Sequence, residues 1–444
     1  MTNKKVYADG AAGAIGKIHA FEKFGSILGL ERMNELMALL GDPQDKLKVL
    51  HVAGTNGKGS VCRYLYSVLQ ENGYRTGLYT SPFLEVFNER IELDGAYISD
   101  ADLTEYTDRV LKQVQRMVDA GKQSPTEFEV ITAIALLYFY EKGADYVVLE
   151  VGLGGRGDST NVCKAPLISV ITSISYDHTD RLGDTLAKIA WEKSGIIKDG
   201  CPVVTSAKAP EALEVIERTA AEHHALFFET RRIPYKVKEQ GLDGSCFDVD
   251  FQGVLFEELR ISMVGAHQIE NAIAALATIN LLKERGEVRI QKDKLYSGLQ
   301  KAKQIGRFEV LTAPDAKPVV IIDGAHNPDG AKVLRDAMKT FCPSQRILMV
   351  TGMLADKDTT GILRSFRDIT TDFIATEPAN PRSMTKEALK DALQAQGARC
   401  LELLEPEAAV EEALRRKEDY DVILFAGSLY LIGQIRGMLR EAVR

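Results

Sequence analysis

The run Leu50-His51-Val52-Ala53-Gly54-Thr55-Asn56-Gly57-Lys58-Gly59-Ser60 sets glycines, a lysine and a hydroxyl between an apolar strand-like stretch and a helical pattern. That combination suits a phosphate chain. Gly54, Gly57 and Gly59 let the backbone approach an anion, the opening helix offers unpaired N–H groups, and Lys58 adds a full positive charge. The Ser60 hydroxyl suits a magnesium ion that accompanies a nucleotide. The strict phosphate-loop pattern is G-x-x-x-x-G-K-[ST]; here Gly59 separates the lysine from the hydroxyl residue. The chemistry expected of Gly54, Thr55, Asn56, Gly57, Lys58, Gly59 and Ser60 is the cradling of a phosphate chain. Glu150 is a second candidate: it closes the apolar run from Tyr146, where a carboxylate is costly to bury unless a cation such as magnesium pairs with it.

Strand–helix alternation must position these groups. Strand-like Val49–Val52, Thr76–Tyr79, Tyr146–Val151, Leu167–Thr172 and Val203–Thr205 are interleaved with helical patterns at Val61–Glu71, Glu129–Glu141 and Thr185–Lys193. This predicts a doubly wound, mostly parallel sheet of the P-loop type, with ligands at the carboxyl ends of its strands. Gly54, Glu150 and Asp177 all fall at or just after such ends. Around Tyr235–Phe256, polar and apolar residues alternate with Gly241, Gly244 and Gly253, which predicts antiparallel hairpins as an excursion from the first region. A helix from about Gln268 to Glu284 follows. A second alternation, Val319–Ile322, Ile347–Val350, Phe373–Thr376, Cys400–Leu403 and Val422–Phe425, predicts a smaller Rossmann-like α/β domain. A chain of 444 residues exceeds what one core usually serves, so two domains are expected, 1–300 and 301–444.

The net charge of −8, with dispersed lysines and arginines, argues against nucleic acid or an anionic membrane as partner. Cys62, Cys163, Cys201, Cys246, Cys342 and Cys400 lie far apart, as buried thiols in a reducing compartment would, rather than as a zinc site or disulfide framework. Lys4 and Lys5 are not followed by the apolar core of a signal peptide, and the longest apolar stretch, Val130 to Tyr140, is too short to span a bilayer. A cytoplasmic location is expected.

The wording G-T-N-G-K-G-S resembles the ATP loop of the Mur ligase family, which joins amino acids to carboxylates at the expense of ATP. Further motifs resemble its bacterial bifunctional dihydrofolate synthase and folylpolyglutamate synthase branch. They are Thr80-Ser81-Pro82-Phe83-Leu84, Asn88-Glu89-Arg90-Ile91, Glu150-Val151-Gly152-Leu153-Gly154-Gly155-Arg156 with Asp158-Ser159-Thr160-Asn161, and Asp177-His178-Thr179. Glu192-Lys193-Ser194-Gly195-Ile196 and Asp323-Gly324-Ala325-His326-Asn327-Pro328 continue the series. The resemblance runs from about Phe24 to Ser428, in the family's order.

It implies an acid–amino-acid ligase that adds L-glutamate to dihydropteroate and to the tail of reduced folates through an acyl phosphate. The alternatives are a folylpolyglutamate synthase alone and, more remotely, an ATP-binding regulatory protein. A cell-wall Mur ligase would need a further N-terminal domain, for which the position of the loop leaves no room. By resemblance, Ser60, Ser81, Glu150, His178 and Lys193 hold magnesium as two ions, with Lys193 carbamylated into a carboxylate-like ligand. Asn271 is implied at the adenine, Arg307 of Gly306-Arg307-Phe308 at the phosphates and Asp323 at the ribose, while His326 and Ser428 lie near glutamate and the γ-phosphate. Lys58, Lys193 and His326 are the implied catalytic residues. Leu28, Leu30, Thr126, Phe128, Asp158 and Ser159 match the pterin pocket, with Phe128 stacking and Asp158 accepting from the amino-pyrimidine edge. Gly157 stands where the family more often carries a bulky residue, so a looser loop is expected there. A site drawn from both domains implies closure of a monomer around its substrates.

Overall fold

The structure, a computed structural model, describes residues 9–25 and 27–443; Lys4 and Lys5 lie outside them. Its first sheet has eight strands: β1 (Val49–Ala53), β2 (Thr76–Tyr79), β3 (Ile91–Leu93), β4 (Ala96–Tyr97), β5 (Tyr146–Glu150), β6 (Ile168–Ile171), β7 (Val203–Thr205) and β8 (Phe227–Glu229). They lie in the order β4-β3-β2-β5-β1-β6-β7-β8. From β2 to β8 every neighbouring pair is parallel, and β3 and β4 extend one edge antiparallel. β1 and β5 are buried along their whole length, as a parallel sheet covered on both faces requires. From β1 the chain runs to β2 on one side, whereas from β5 it runs to β6 on the other, which opens a crevice at the carboxyl end of β1.

Helices cover this sheet. The helix Glu127–Glu141 is buried along most of its length and starts with a capping box, Thr126 accepting from Glu129 N–H while the Glu129 carboxylate accepts from Thr126 N–H. The helix Asp100–Asp119 is an addition to the helical patterns named from the sequence. Its buried residues Leu103, Tyr106, Thr107, Val110, Val114 and Met117 form one stripe, and Ser99 caps its start.

A three-stranded sheet follows, β9 (Tyr235–Gly241), β10 (Gly244–Phe251) and β11 (Val254–Ile261), and then a sheet of six: β12 (Glu309–Val310), β13 (Val319–Asp323), β14 (Ile347–Thr351), β15 (Asp372–Thr376), β16 (Arg399–Leu404) and β17 (Val422–Ala426). The six lie in the order β12-β13-β17-β14-β15-β16, parallel except for edge strand β12. The chain therefore has the expected α/β class, a large doubly wound sheet and a second, smaller one.

Among the described residues two compact units result, one within 9–235, 249–259 and 270–302, the other within 236–248, 260–269 and 303–443. The hairpin region expected as an excursion from the first region is thus shared between them. Among the described residues no helix is long and apolar enough to cross a membrane. The six cysteines are buried as expected except Cys400, which is half-buried.

Candidate active site

Gly54 (φ +145°) and Gly57 (φ +89°) adopt backbone conformations that side chains disfavour, and Gly57 opens the helix Lys58–Glu71. A Cβ on Gly54 would stand 1.8 Å from Thr172 Oγ1, and one on Gly57 2.6 Å from Asn271 Oδ1. Asn271 therefore lies directly against the loop. The side chain of Lys58 folds over it, its Nζ donating to the carbonyls of Gly54 and Thr55 at 3.1 Å each. Ser60 is buried in the first turn of the helix.

Residues that the sequence reading missed hold this loop in shape. After β6, Thr172 Oγ1 donates to Asn56 O at 2.7 Å, Ser173 Oγ accepts from Asn56 N–H at 3.1 Å, and Thr55 N–H donates to Ser173 O at 2.7 Å. The signal was present as the hydroxyl-rich run Thr172-Ser173-Ile174-Ser175, but only the pairing of β6 with β1 brings it to the loop.

Glu150 is 5% exposed at the end of β5, and its Oε2 accepts from Ser81 N–H at 3.3 Å, so the structure brings these two together. Lys193 is not the solvated helix-end lysine that its position suggests. It is 5% exposed, and its Nζ donates to Gly54 O at 2.8 Å. Burial, reinforced by the charge of Lys58, holds its ammonium down at about 7. His178 has a left-handed backbone and an exposed side chain whose Nε2 lies 3.8 Å from Asp177 Oδ1.

The pterin candidates also gather. Phe128 touches the Gly152 position, where a Cβ would stand 2.4 Å from its ring and 3.2 Å from Asp158 Oδ2. Its ring lies 6.0 Å from that of Tyr79. Thr126 and Ser159 are buried, the former as the helix cap and the latter with its Oγ 2.8 Å from Thr132 Oγ1. Leu30 packs on the adjoining core. Asp158 is 3% exposed: Oδ1 accepts from Thr160 N–H at 3.0 Å and Thr160 Oγ1–H at 2.5 Å, and Oδ2 from Leu153 N–H at 2.8 Å. Burial raises its carboxyl above the usual range despite these donors. The looser loop expected at Gly157 is not found. Gly157 O accepts from Gly29 N–H at 2.9 Å, and a Cβ on Gly157 would stand 3.0 Å from Leu28 Cβ, so the absent side chain lets the Leu28 segment pack closely.

In the second unit, Asp323 ends β13 and is paired in register with Ala426 of β17. Its carboxylate accepts from Phe308 N–H and Ala325 N–H at 2.7 Å each; burial raises its pKa while Arg307 opposes the rise. Arg307 and the Nδ1–H of His326 both donate to Gly324 O, at 3.3 and 2.8 Å. A Cβ on Gly324 would stand 2.2 Å from Leu429 Cδ2, and the neighbouring Ser428 caps the helix Leu429–Ala442. Arg307, Asp323, His326 and Ser428 thus share one edge of the second sheet.

Residues 52–279 match the Mur ligase middle domain and residues 306–429 the Mur ligase glutamate ligase domain. The chain is 39% identical to the dihydrofolate synthase/folylpolyglutamate synthase of Bacillus subtilis over 95% of this chain and 97% of the relative. A Mycobacterium tuberculosis folylpolyglutamate synthase complexed with ADP superposes with a TM-score of 0.88 at 29% identity, over 97% of this chain and 99% of that one. An FPGS–AMPPCP–folate complex superposes with a TM-score of 0.83 at 32% identity, over the same shares of the two chains. With both domain models matched in order and the Bacillus relative covered almost end to end, the chain belongs to the Mur ligase family, in its dihydrofolate synthase/folylpolyglutamate synthase branch.

Proposed function

We propose that this chain is an ATP-dependent ligase that adds L-glutamate to dihydropteroate and to the glutamate tail of reduced folates. One observation carries the reading: a phosphate loop and the Arg307–Asp323–His326–Ser428 edge occur in one chain, inside the middle and glutamate ligase domains of one family. A division into an ATP- and pterin-binding region, 1–300, and a glutamate-ligase region, 301–444, belongs to the same reading; the matched domains end at 279 and resume at 306.

Carboxylate oxygen is a poor leaving group, and phosphorylation improves it. The substrate carboxylate attacks the γ-phosphorus of ATP, a new O–P bond forms, and ADP leaves. The glutamate amine then attacks the acyl carbon, phosphate departs, and the amine loses a proton. Lys58 neutralises charge on the phosphoryl in transit, and the loop amides orient the chain it leaves. Asn271 serves the adenine, Asp323 the ribose and Arg307 the phosphates, and His326 and Ser428 serve glutamate.

The oxygen donors Ser60, Ser81 and Glu150 fit magnesium, a hard cation, and the buried Glu150 carboxylate beside Ser81 is a site a cation would favour. Magnesium there would neutralise phosphate charge. His178 and Lys193 complete a set for two ions, with Lys193 as a carbamate. The buried, depressed Lys193 supports this, since a neutral amine adds to carbon dioxide, forming an N–C bond and releasing a proton. Leu28, Leu30, Thr126, Phe128, Asp158 and Ser159 form the pterin pocket, and the enzyme acts as a cytoplasmic monomer.

The test is purified protein with ATP, magnesium and L-glutamate, offered dihydropteroate and tetrahydrofolate separately, with products identified by mass. Glutamylated product from both is expected. Tail extension without dihydrofolate formation would leave a folylpolyglutamate synthase alone, and glutamate-independent ADP release would leave an ATP-binding regulatory protein.

A further inference from the structure

His51 is fully buried on β1, three residues before the phosphate loop begins, and the reaction as derived gives it no part. Its Nε2 lies 2.9 Å from Thr160 Oγ1, and Thr160 Oγ1 in turn lies 2.5 Å from Asp158 Oδ1. The hydroxyl has one proton, and the carboxylate can only accept it. Thr160 Oγ1 therefore accepts from the ring, and His51 is the Nε2–H tautomer, its buried Nδ1 without a partner. Burial, with the charge of Lys198, keeps the ring neutral and so keeps that tautomer well defined.

The line continues beyond Asp158. Its other oxygen accepts from Leu153 N–H, so the carboxylate ties the two ends of the segment 152–160 together. That segment carries the Gly152 surface against which Phe128 lies, and Ser159. A carboxylate accepts about four hydrogen bonds, and the protein itself supplies donors for three of them. Asp158 shapes the pocket wall by what it holds.

We infer that His51 is a positioning residue for the folate substrate, fixing the Gly152–Thr160 wall of the pterin pocket through Thr160 and Asp158 from the strand that also carries the ATP loop. The inference rests on the pterin reading of that pocket. It assigns to one buried histidine a hold on substrate affinity, with no contact to substrate.

Two measurements on the whole protein test it. Long-range ¹H–¹⁵N spectra of the imidazole should show a neutral Nε2–H tautomer, lost or mixed in Thr160→Val and retained in Thr160→Ser. An Nδ1–H tautomer in the parent protein overturns the line. In kinetics, His51→Leu and Thr160→Val should raise the KM for dihydropteroate and tetrahydrofolate about tenfold, with the KM for ATP changed by less than about twofold. His51→Gln, which keeps a donor near Nε2, and Thr160→Ser should restore most of the folate KM. Should His51→Leu fail to fold, the Thr160 pair carries the test. A parental folate KM in folded Thr160→Val, or an equal rise for ATP, overturns this inference and leaves the ligase reading standing. A parent protein that glutamylates no folate removes both, whatever the tautomer.

Discussion

The ammonium of Lys193 donates to the carbonyl of Gly54 at 2.8 Å across 139 residues of chain, and Lys58 donates to the same carbonyl at 3.1 Å. Two cations converge on one loop oxygen, and burial of Lys193, reinforced by the charge of Lys58, favours its neutral form. Lys193→Ala should lose activity by about a hundredfold or more. Added short carboxylic acids should restore part of it, because an anion is wanted there, and ¹³C-bicarbonate should give a carbamate signal in the parent protein alone. An active alanine variant with no carbamate signal would refute the assignment.

Lys58→Ala should abolish ligation while leaving thermal unfolding close to that of the parent protein. The loss should reach about a thousandfold, since the deleted charge acts on the phosphoryl group as it moves. Near-normal turnover in the folded variant would move the phosphate site elsewhere.

Glu150→Gln and His178→Ala should each raise the magnesium concentration needed for half-maximal rate and lower the maximum. Magnesium titrations of initial rate check this. If both variants keep the parental titration, the metal is held by other groups.

Gly57→Ala should raise the KM for ATP about tenfold or more, because a side chain at φ +89° is strained and its Cβ would stand 2.6 Å from Asn271 Oδ1. Gly54→Ala should also unfold at lower temperature, since its Cβ would overlap Thr172 Oγ1 at 1.8 Å. Parental nucleotide affinity in Gly57→Ala, read by calorimetry, would separate Asn271 from the nucleotide.

Burial holds the His51 imidazole at about 3, below its ordinary value near 6.5. The unfolded chain therefore takes up this proton first, and stability is lost as pH falls from 6.5 toward 3. Between pH 7 and 5 this one group accounts for about 2 kcal/mol. His51→Gln should accordingly show a smaller fall in urea midpoint between pH 7 and pH 5 than the parent protein. An equal or steeper fall would mean that the ring is not held neutral.

The ATP loop was legible in the sequence because its chemistry is local. Glycine spacing, a lysine and a following helix act through the backbone of one short segment, wherever that segment sits. The doubly wound sheet was legible for a similar reason: buried parallel strands such as Val49–Ala53 and Tyr146–Glu150 read as apolar runs between helices. The helix Asp100–Asp119 carries its stripe openly yet is not among the patterns named from the sequence, while the hairpin near Tyr235 is, without its division between units.

What the chain alone could not reveal is which distant groups share a buried space. Lys193 looks solvated until the fold sets it against Gly54, and burial then changes its proton affinity. Thr172 and Ser173 look like ordinary strand-end hydroxyls until β6 pairs with β1 and turns them onto the loop. His51 and Thr160 stand 109 residues apart, and nothing in either segment announces the other. Hydrogen bonds and desolvation depend on ångström separations that only tertiary packing creates, so the sequence determined the reactive loop and its scaffold, and the folded structure decided the partners and protonation of the residues around it.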